Sequence, residues 1–272
     1  MPTIEIPTNI TRIGTNAFYE SGLQTVTIPD SVTNLQYQSF YDCESLTNIV
    51  IGRGVRTIDA QAFGYSPKLA SVTILASVTN SAINNVPSLT SLTIGEGVTV
   101  IGGFNITGLT NVVIPASVTN ISANAITGNN LTNVIIGAGV TSIGAGAFGC
   151  PSLYSMYFQG DAPAFPGTFG GKTTVYYLPG TTGWGTTYGG RPTVLWNPAI
   201  QSGAAGFGVQ SGQFGFNITG TPGITVQIET ADSLSATNWA SLQMATLTNG
   251  SYYFSEPFQP SATSRYYRLD FP

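Results

Sequence analysis

Short stretches in which polar and apolar residues alternate recur along the first two thirds of the chain. Each is four residues long, begins two residues after a leucine, and carries apolar side chains at its second and fourth positions. Alternation with a period of two is typical of a β-strand with one buried face. We therefore predict these strands: Thr25–Ile28, Asn48–Ile51, Ser71–Ile74, Ser91–Ile94, Asn111–Ile114, Asn133–Ile136 and Ser155–Phe158.

The strands belong to repeats of 20 to 23 residues, each of which starts at a Val-Thr or similar pair. Self-similarity at this period is typical of solenoid proteins. A single repeat buries too little apolar surface to fold alone. Ordering it costs about 1.5 kcal/mol per residue, more than its six large apolar side chains return at roughly 1.5–3 kcal/mol each. We expect stacked repeats that share one core and pair their strands.

A second motif lies in the turn before each strand. Cys43-Glu44-Ser45-Leu46 and Cys150-Pro151-Ser152-Leu153 close that turn, and these pairs open it: Ala17-Phe18, Ser39-Phe40, Ala62-Phe63 and Ala147-Phe148. The pattern over residues 4–178 resembles BspA-type leucine-rich repeats, a bacterial cell-surface class. The repeats between 78 and 139 are shorter and lack the pair. The resemblance implies an extracellular or cell-surface protein that mediates adhesion or protein binding.

The domain organisation follows from where the repeats end. We predict a β-rich leucine-rich-repeat solenoid over 1–196, with one short strand plus a turn or short helix per repeat. Its C-terminal cap would contain Trp184, Tyr188 and Trp196. Residues 197–212 are rich in Gly, Ser and Ala and predict a linker. Residues 213–272 alternate again and predict a small all-β, sandwich-like domain.

Composition argues against an enzyme. The chain has no histidine, and only 7% of its residues are charged, which removes Ser-His-Asp triads and histidine zinc sites. Lys+Arg number 8 against 12 Asp+Glu, so we expect no nucleic-acid partner. We also expect no cofactor, no metal and no transmembrane segment, because no apolar run is long enough to span a membrane. Any export signal would lie outside this chain.

Cys43 and Cys150 occupy the same position in repeats that are five steps apart. At about 4.8 Å per strand they would lie roughly 24 Å apart, far beyond the approximately 7 Å Cα limit for a disulfide. We predict two buried free thiols.

The outward-facing residues of the predicted strands are the candidate binding surface. Three of them in consecutive repeats, Val113, Ile135 and Tyr157, are apolar and flanked by amides and hydroxyls. Such a surface suits a protein or surface ligand; β-propensity alone, or cover by the C-terminal domain, would also explain it. The predicted interaction surface comprises Asn48, Val50, Asn111, Val113, Asn133, Ile135, Ser155 and Tyr157.

The first strand, Thr3, Ile4, Glu5 and Ile6, is a predicted association edge, because it can pair with Thr25–Ile28 on only one side. This edge supports an alternative function. The chain would then be a structural subunit that assembles into an extracellular filament or sheet, a homo-polymer, through solenoid edges and the C-terminal domain.

Threonines also recur at the repeat corners, at positions 11, 33, 79, 99, 119 and 141. Regular threonines on a flat solenoid suggest ice or crystalline-polysaccharide binding. A single threonine per repeat is equally ordinary turn and strand chemistry.

Overall fold

The computed structural model describes residues 3–59, 61–78, 83, 86–128, 130–165, 167–203, 206–258 and 264–272. They form two compact units, which meet in sequence between Thr193 and Val194. Within these ranges all regular secondary structure is β. No helix in the described ranges is long and apolar enough to cross a membrane.

The first twenty strands, the last of which crosses that boundary, are two to five residues long. Up to residue 101 they are β1 (Thr3–Glu5), β2 (Arg12–Ile13), β3 (Thr25–Ile28), β4 (Asn34–Leu35), β5 (Asn48–Ile51), β6 (Thr57–Ile58), β7 (Ser71–Ile74), β8 (Ser91–Ile94) and β9 (Val100–Ile101). Beyond it they are β10 (Phe104–Asn105), β11 (Asn111–Ile114), β12 (Asn120–Ile121), β13 (Ile126–Thr127), β14 (Asn133–Ile136), β15 (Ser142–Ile143), β16 (Phe148–Gly149), β17 (Ser155–Phe158), β18 (Thr174–Tyr177), β19 (Thr187–Tyr188) and β20 (Arg191–Leu195). The seven strands predicted from alternation in the repeats are confirmed with their predicted bounds, as β3, β5, β7, β8, β11, β14 and β17; the first strand, predicted over residues 3–6, ends one residue earlier, at Glu5.

These strands stack in parallel from one repeat to the next. Val26 pairs with Ile49, and Ile49 pairs with Val72, so equivalent residues of successive repeats lie side by side. Their inward side chains are buried in one core. The predicted solenoid is confirmed, but most of its repeats hold two or three short strands instead of the one expected, and the described residues contain no helix. Its main parallel sheet has two parts, in the order β1-β3-β5-β7-β8 and β11-β14-β17-β18-β20-β19.

The opposite corner of the repeat is built in two ways. In the early repeats it is a turn, in which Asn16, Gln38 and Gln61 adopt positive φ angles between 55° and 64°. The rings of Phe18, Phe40 and Phe63 stack beneath these turns, with centroids 4.9 and 5.7 Å apart. In the later repeats the same position forms a parallel sheet, β10-β13-β16.

Several of the corner threonines hydrogen-bond to the backbone of the preceding repeat. The hydroxyl of Thr33 donates to the carbonyl of Thr11 at 3.1 Å, and that of Thr141 donates to the carbonyl of Thr119 at 3.1 Å. Thr119 donates in the same way to the carbonyl of Thr99 at 3.2 Å, and the Thr99 hydroxyl bonds to that of Ser77; Thr79 lies outside the described residues. The recurrence of threonine at these corners therefore has a structural cause.

Both cysteines are buried and free, as predicted. The Cys43 thiol donates to the carbonyl of Phe18 at 3.2 Å, and the Cys150 thiol donates to the carbonyl of Ile126 at 3.5 Å. Burial raises the pKa of Cys150 to about 11, which disfavours the nucleophilic thiolate.

An aromatic cluster covers the last repeat. The rings of Trp184 and Tyr188 lie 5.0 and 5.6 Å from the buried ring of Phe158. The Tyr188 hydroxyl donates to the carbonyl of Pro163 at 2.8 Å. These two aromatic residues occupy the position predicted for a cap.

The second unit consists of two antiparallel sheets. Its strands are β21 (Ala199–Gln201), β22 (Gly208–Gln210), β23 (Gln213–Thr219), β24 (Thr225–Ala231), β25 (Ala240–Thr246), β26 (Ser251–Pro257) and β27 (Tyr266–Asp270). In one sheet β23 pairs with β21, β22 and β26, and in the other β24 lies between β25 and β27. The Tyr267 ring stacks on Phe214 of the facing sheet at 5.1 Å. This is the arrangement of a small sandwich.

The linker expected at 197–212 is not what the structure shows. Ile200 of β21 pairs with Ile218, and Val209 of β22 pairs with Phe214, so this stretch supplies two strands of the second unit. Trp196, expected in the cap, also belongs to the second unit, where its indole N–H donates to the carbonyl of Thr225. Small residues around the two short strands conceal their alternation in the sequence.

Candidate functional site

The main parallel sheet is interrupted between β8 and β11. Both strands belong to the described part of the chain, and they are not hydrogen-bonded to each other there. On the side of β7, the N–H of Ser91 donates to the carbonyl of Ala70, and the N–H of Gly95, directly after β8, donates to that of Ile74. Because backbone groups alternate sides along a strand, Leu92 and Ile94 direct theirs towards β11. By the same alternation, Asn111 and Val113 direct theirs towards β8.

Proline 115 gives a local reason for the interruption. In other repeats the residue after the strand donates its N–H to the preceding strand: Gly95 to Ile74 at 2.8 Å, and Gly137 to Ile114 at 2.8 Å. Pro115 holds this position after β11 and has no N–H. The carbonyl of Ile94 therefore lacks the donor that other repeats supply.

The interruption forms a groove of about 620 Å³. We call it the β8–β11 groove; it is lined by residues 90–94, 96, 111–116 and 159. Leu92 and Ile94 are 9% and 8% exposed, whereas their counterparts in β7 are almost fully buried. Val113 is 56% exposed. The groove thus combines apolar side chains with unpaired backbone groups.

The predicted interaction surface falls into two groups. Asn111, Val113, Asn133, Ile135, Ser155 and Tyr157 lie on the second part of the main sheet, and Asn48 and Val50 lie on the first. On the second part, the Asn133 side-chain amide donates to the Asn111 side-chain oxygen at 2.9 Å. Ile135 and Ser155 are half-buried. The β8–β11 groove separates the two groups.

Tyr157 is not the exposed residue expected. It is 3% exposed, and its ring stacks on that of Tyr176 in the next strand, with centroids 4.8 Å apart. Burial raises the pKa of its hydroxyl. The exposed part of the predicted patch is therefore centred on Val113.

The predicted association edge lies at the end of its sheet. Thr3 and Ile4 pair with Thr25 and Val26 in the expected register. Thr3, Ile4 and Glu5 are exposed, whereas Ile6 is buried.

The chemistry of the groove is that of contact and hydrogen bonding. Its ionisable lining is the single carboxylate of Glu96. Among the described residues, no three His, Cys, Asp or Glu side chains lie close enough to hold a metal ion together.

Leu92, Ile94 and Pro115 belong to this site but were not predicted from the sequence. Pro115 was the available signal, but Pro29 holds the same repeat position after β3, and β3 still pairs with β1. The proline alone therefore does not identify an interruption.

Solved structures that are similar to this chain include three repeat proteins. A leucine-rich repeat protein from Bacteroides ovatus is 18% identical, with a TM-score of 0.29; the match covers 64% of this chain and 63% of that one. The pneumococcal vaccine antigen PcpA is 14% identical, with a TM-score of 0.33, and 62% and 73% of the two chains are covered. A leucine-rich cell surface protein from Faecalibacterium prausnitzii is 20% identical, with a TM-score of 0.23 and coverages of 64% and 78%.

The family comparison is more decisive. A search of the curated proteins found no match. The model of the BspA-type leucine-rich repeat region matches residues 1–104 and 80–165, with six copies. The matched residues are more than half of the chain and coincide with the solenoid. The chain therefore belongs to the BspA-type leucine-rich repeat family.

Proposed function

We propose that this chain is a non-catalytic, extracellular or surface-displayed protein that binds another protein at the β8–β11 groove. The observation that carries the proposal is the interruption itself, which leaves unpaired backbone groups beside the exposed side chain of Val113. Protein interfaces are commonly built from an apolar centre with hydrogen-bonding groups around it.

The width of the groove determines how a partner would enter it. Some Cα atoms of β8 and β11 lie within 8 Å of each other, whereas an inserted strand would hold them roughly 9.6 Å apart, twice the usual spacing. A whole strand therefore does not fit. An apolar side chain of the partner would enter beside Leu92 and Val113, and the partner backbone would bond to groups at the rim.

A displayed library of random 12-residue peptides tests this proposal. Peptides selected on the wild-type protein should bind Val113→Asp at least about tenfold more weakly, because losing a central interface contact costs more than about 1 kcal/mol. Thr27→Asp is the matched control, since Thr27 is exposed at the equivalent position of β3 and should leave binding unchanged. Selected peptides that bind both variants equally would contradict the proposal, as would a failure to select any.

Self-assembly through the association edge is a second candidate function. It is supported by the position of β1 at the end of its sheet, with Ile4 exposed. Sedimentation velocity over a hundredfold concentration range should then show growing species that the change Ile4→Pro abolishes. A wild-type protein that stays monomeric throughout would remove this candidate.

A further inference from the structure

Three tyrosines form a row on the turns of the early repeats, away from the main sheet. The rings of Tyr19 and Tyr41 stack with centroids 5.7 Å apart, and those of Tyr41 and Tyr65 lie 5.1 Å apart. We call this row the tyrosine ladder. Its end members are exposed, Tyr65 by 60%. Large exposed rings in register are unusual unless they contact something.

The ladder stops after Tyr65 for a reason visible in the sequence. Gly64 stands where Tyr41 stands one repeat earlier, and a Cβ atom there would lie 3.2 Å from the Tyr41 ring. The ring of the next residue, Tyr65, takes that place instead. From residue 79 to residue 103 the chain has no aromatic residue, so no fourth ring follows.

A cavity of about 480 Å³ lies at this end of the ladder. Its lining comprises Asp42, Glu44, Tyr65, Ser66, Pro67, Val86, Pro87, Asn105 and Thr107. The cavity therefore offers one aromatic ring, two carboxylates and an apolar wall. Its volume lies in the range of sites that bind small groups.

The carboxylates give the cavity its charge. Asp42 and Glu44 also line a neighbouring depression of about 410 Å³ together with Glu20. The ion pairs found among the described residues involve Glu229, Glu256 and Asp270 of the second unit. Lys68, next to the lining residue Pro67, forms none of these ion pairs. Because the carboxylates of Glu20, Asp42 and Glu44 outnumber this one ammonium group, the local charge is negative and favours a bound cation.

We propose that this cavity takes an arginine side chain from a basic polypeptide segment. The guanidinium would extend the ladder by stacking on Tyr65, and Asp42 and Glu44 would accept its hydrogen bonds. Arginine suits the site better than lysine, because its planar group both stacks on rings and donates two parallel bonds to a carboxylate. The site lies on the turns and uses no residue of the β8–β11 groove.

A hexa-arginine peptide and its hexa-citrulline counterpart test the proposal by calorimetry. Citrulline has nearly the shape of arginine without its charge. We expect the arginine peptide to bind and the citrulline peptide to bind at least about tenfold more weakly. Hexa-lysine should fall between them, because lysine keeps the charge but cannot stack as a plane.

Variants locate the binding. Tyr65→Leu should weaken hexa-arginine binding about two- to fivefold, the amount expected for a cation–π contact near the surface, whereas Tyr65→Phe should keep it. Asp42→Asn with Glu44→Gln should weaken it about tenfold. Asparagine suits position 42, where φ is 56°, because it tolerates positive φ. Asp232→Asn, which removes an exposed carboxylate of the second unit, is the control and should change binding less than twofold.

Three results would overturn the proposal. One is no measurable hexa-arginine binding at millimolar concentration. Another is equal weakening by Asp232→Asn and by the Asp42 and Glu44 pair, which would indicate general charge attraction. The third is stronger binding of a neutral oligosaccharide such as maltohexaose than of hexa-arginine, which would make the tyrosines a sugar platform. Thermal melts of each variant confirm that it is folded.

Discussion

The early and the later repeats of the solenoid share a strand motif but differ at the opposite corner. In the early repeats the corner is a turn over stacked phenylalanines, with the tyrosine ladder outside it. In the later repeats a further strand of the repeat (β10, β13 or β16) forms the corner. Phe104, Ile126 and Phe148 then hold the position of the phenylalanine stack, so isoleucine alternates with phenylalanine there. The main sheet is interrupted where the two kinds of repeat meet. The comparison teaches that the strand motif sets the fold, while the corner and the junction shape the surfaces available for binding.

Removing a buried side chain from each kind of corner gives the largest expected effect. Phe40 is fully buried between two rings, and Ile126 holds the equivalent place in β13. We expect Phe40→Ala to lower the free energy of unfolding by about 3–5 kcal/mol and Ile126→Ala by somewhat less. Urea unfolding measures both. Tyr65→Ala, at an exposed ring, should cost under about 1 kcal/mol, and a loss below about 2 kcal/mol for Phe40→Ala would contradict the packing described.

Cys43 and Cys150 hold the same repeat position, Cys43 in an early repeat and Cys150 in a later one. Burial raises the pKa of both thiols; hydrogen bonds with Ser21 partly offset this at Cys43, and a backbone hydrogen bond with Gly128 does so at Cys150, where the rise is nevertheless large. With its pKa near 11 instead of 9, Cys150 has roughly a hundredfold less thiolate below pH 9. We expect native Cys43 to react with iodoacetamide faster than Cys150, and both to react quickly in urea.

Mass spectrometry of peptides from the labelled protein gives each rate. Cys150 holds its proton more tightly in the folded protein than in the unfolded chain. Its contribution to the free energy of unfolding should therefore be fully present below pH 9 and be lost as the pH rises through 11. Equal native rates at the two cysteines would contradict the large rise in the pKa of Cys150.

The smallest effect comes from closing the interruption. Pro115→Leu restores an N–H opposite the Ile94 carbonyl, and Leu75 already fills the equivalent position after β7. A new hydrogen bond contributes about 0.5–1.5 kcal/mol, and loss of the proline offsets about 0.4–1 kcal/mol by freeing the unfolded chain. We expect a net change between a loss of about 0.5 kcal/mol and a gain of about 1 kcal/mol, together with weaker binding of groove-selected peptides. Pro29→Leu should leave peptide binding unchanged.

The sequence predicts what depends on local pattern. Strand positions follow from alternation, and their register follows because repeats of similar length place Val26, Ile49 and Val72 side by side. The burial of Tyr157 could not be foreseen, because it depends on Tyr176 in another strand. The interruption could not be foreseen either, since Pro29 and Pro115 have the same local sequence pattern and different surroundings. The strands of 197–212 were missed because each is only three residues long.

Hydrogen exchange along β11 tests the central claim most directly. Val112 and Ile114 direct their N–H groups to β14, whereas Asn111 and Val113 direct theirs to the groove. We predict slow exchange at Val112 and Ile114 and fast exchange at Asn111 and Val113, with the difference reduced in Pro115→Leu. Equal protection of all four amides in the wild-type protein would mean that β8 and β11 are paired, and the groove and the function proposed for it would be contradicted.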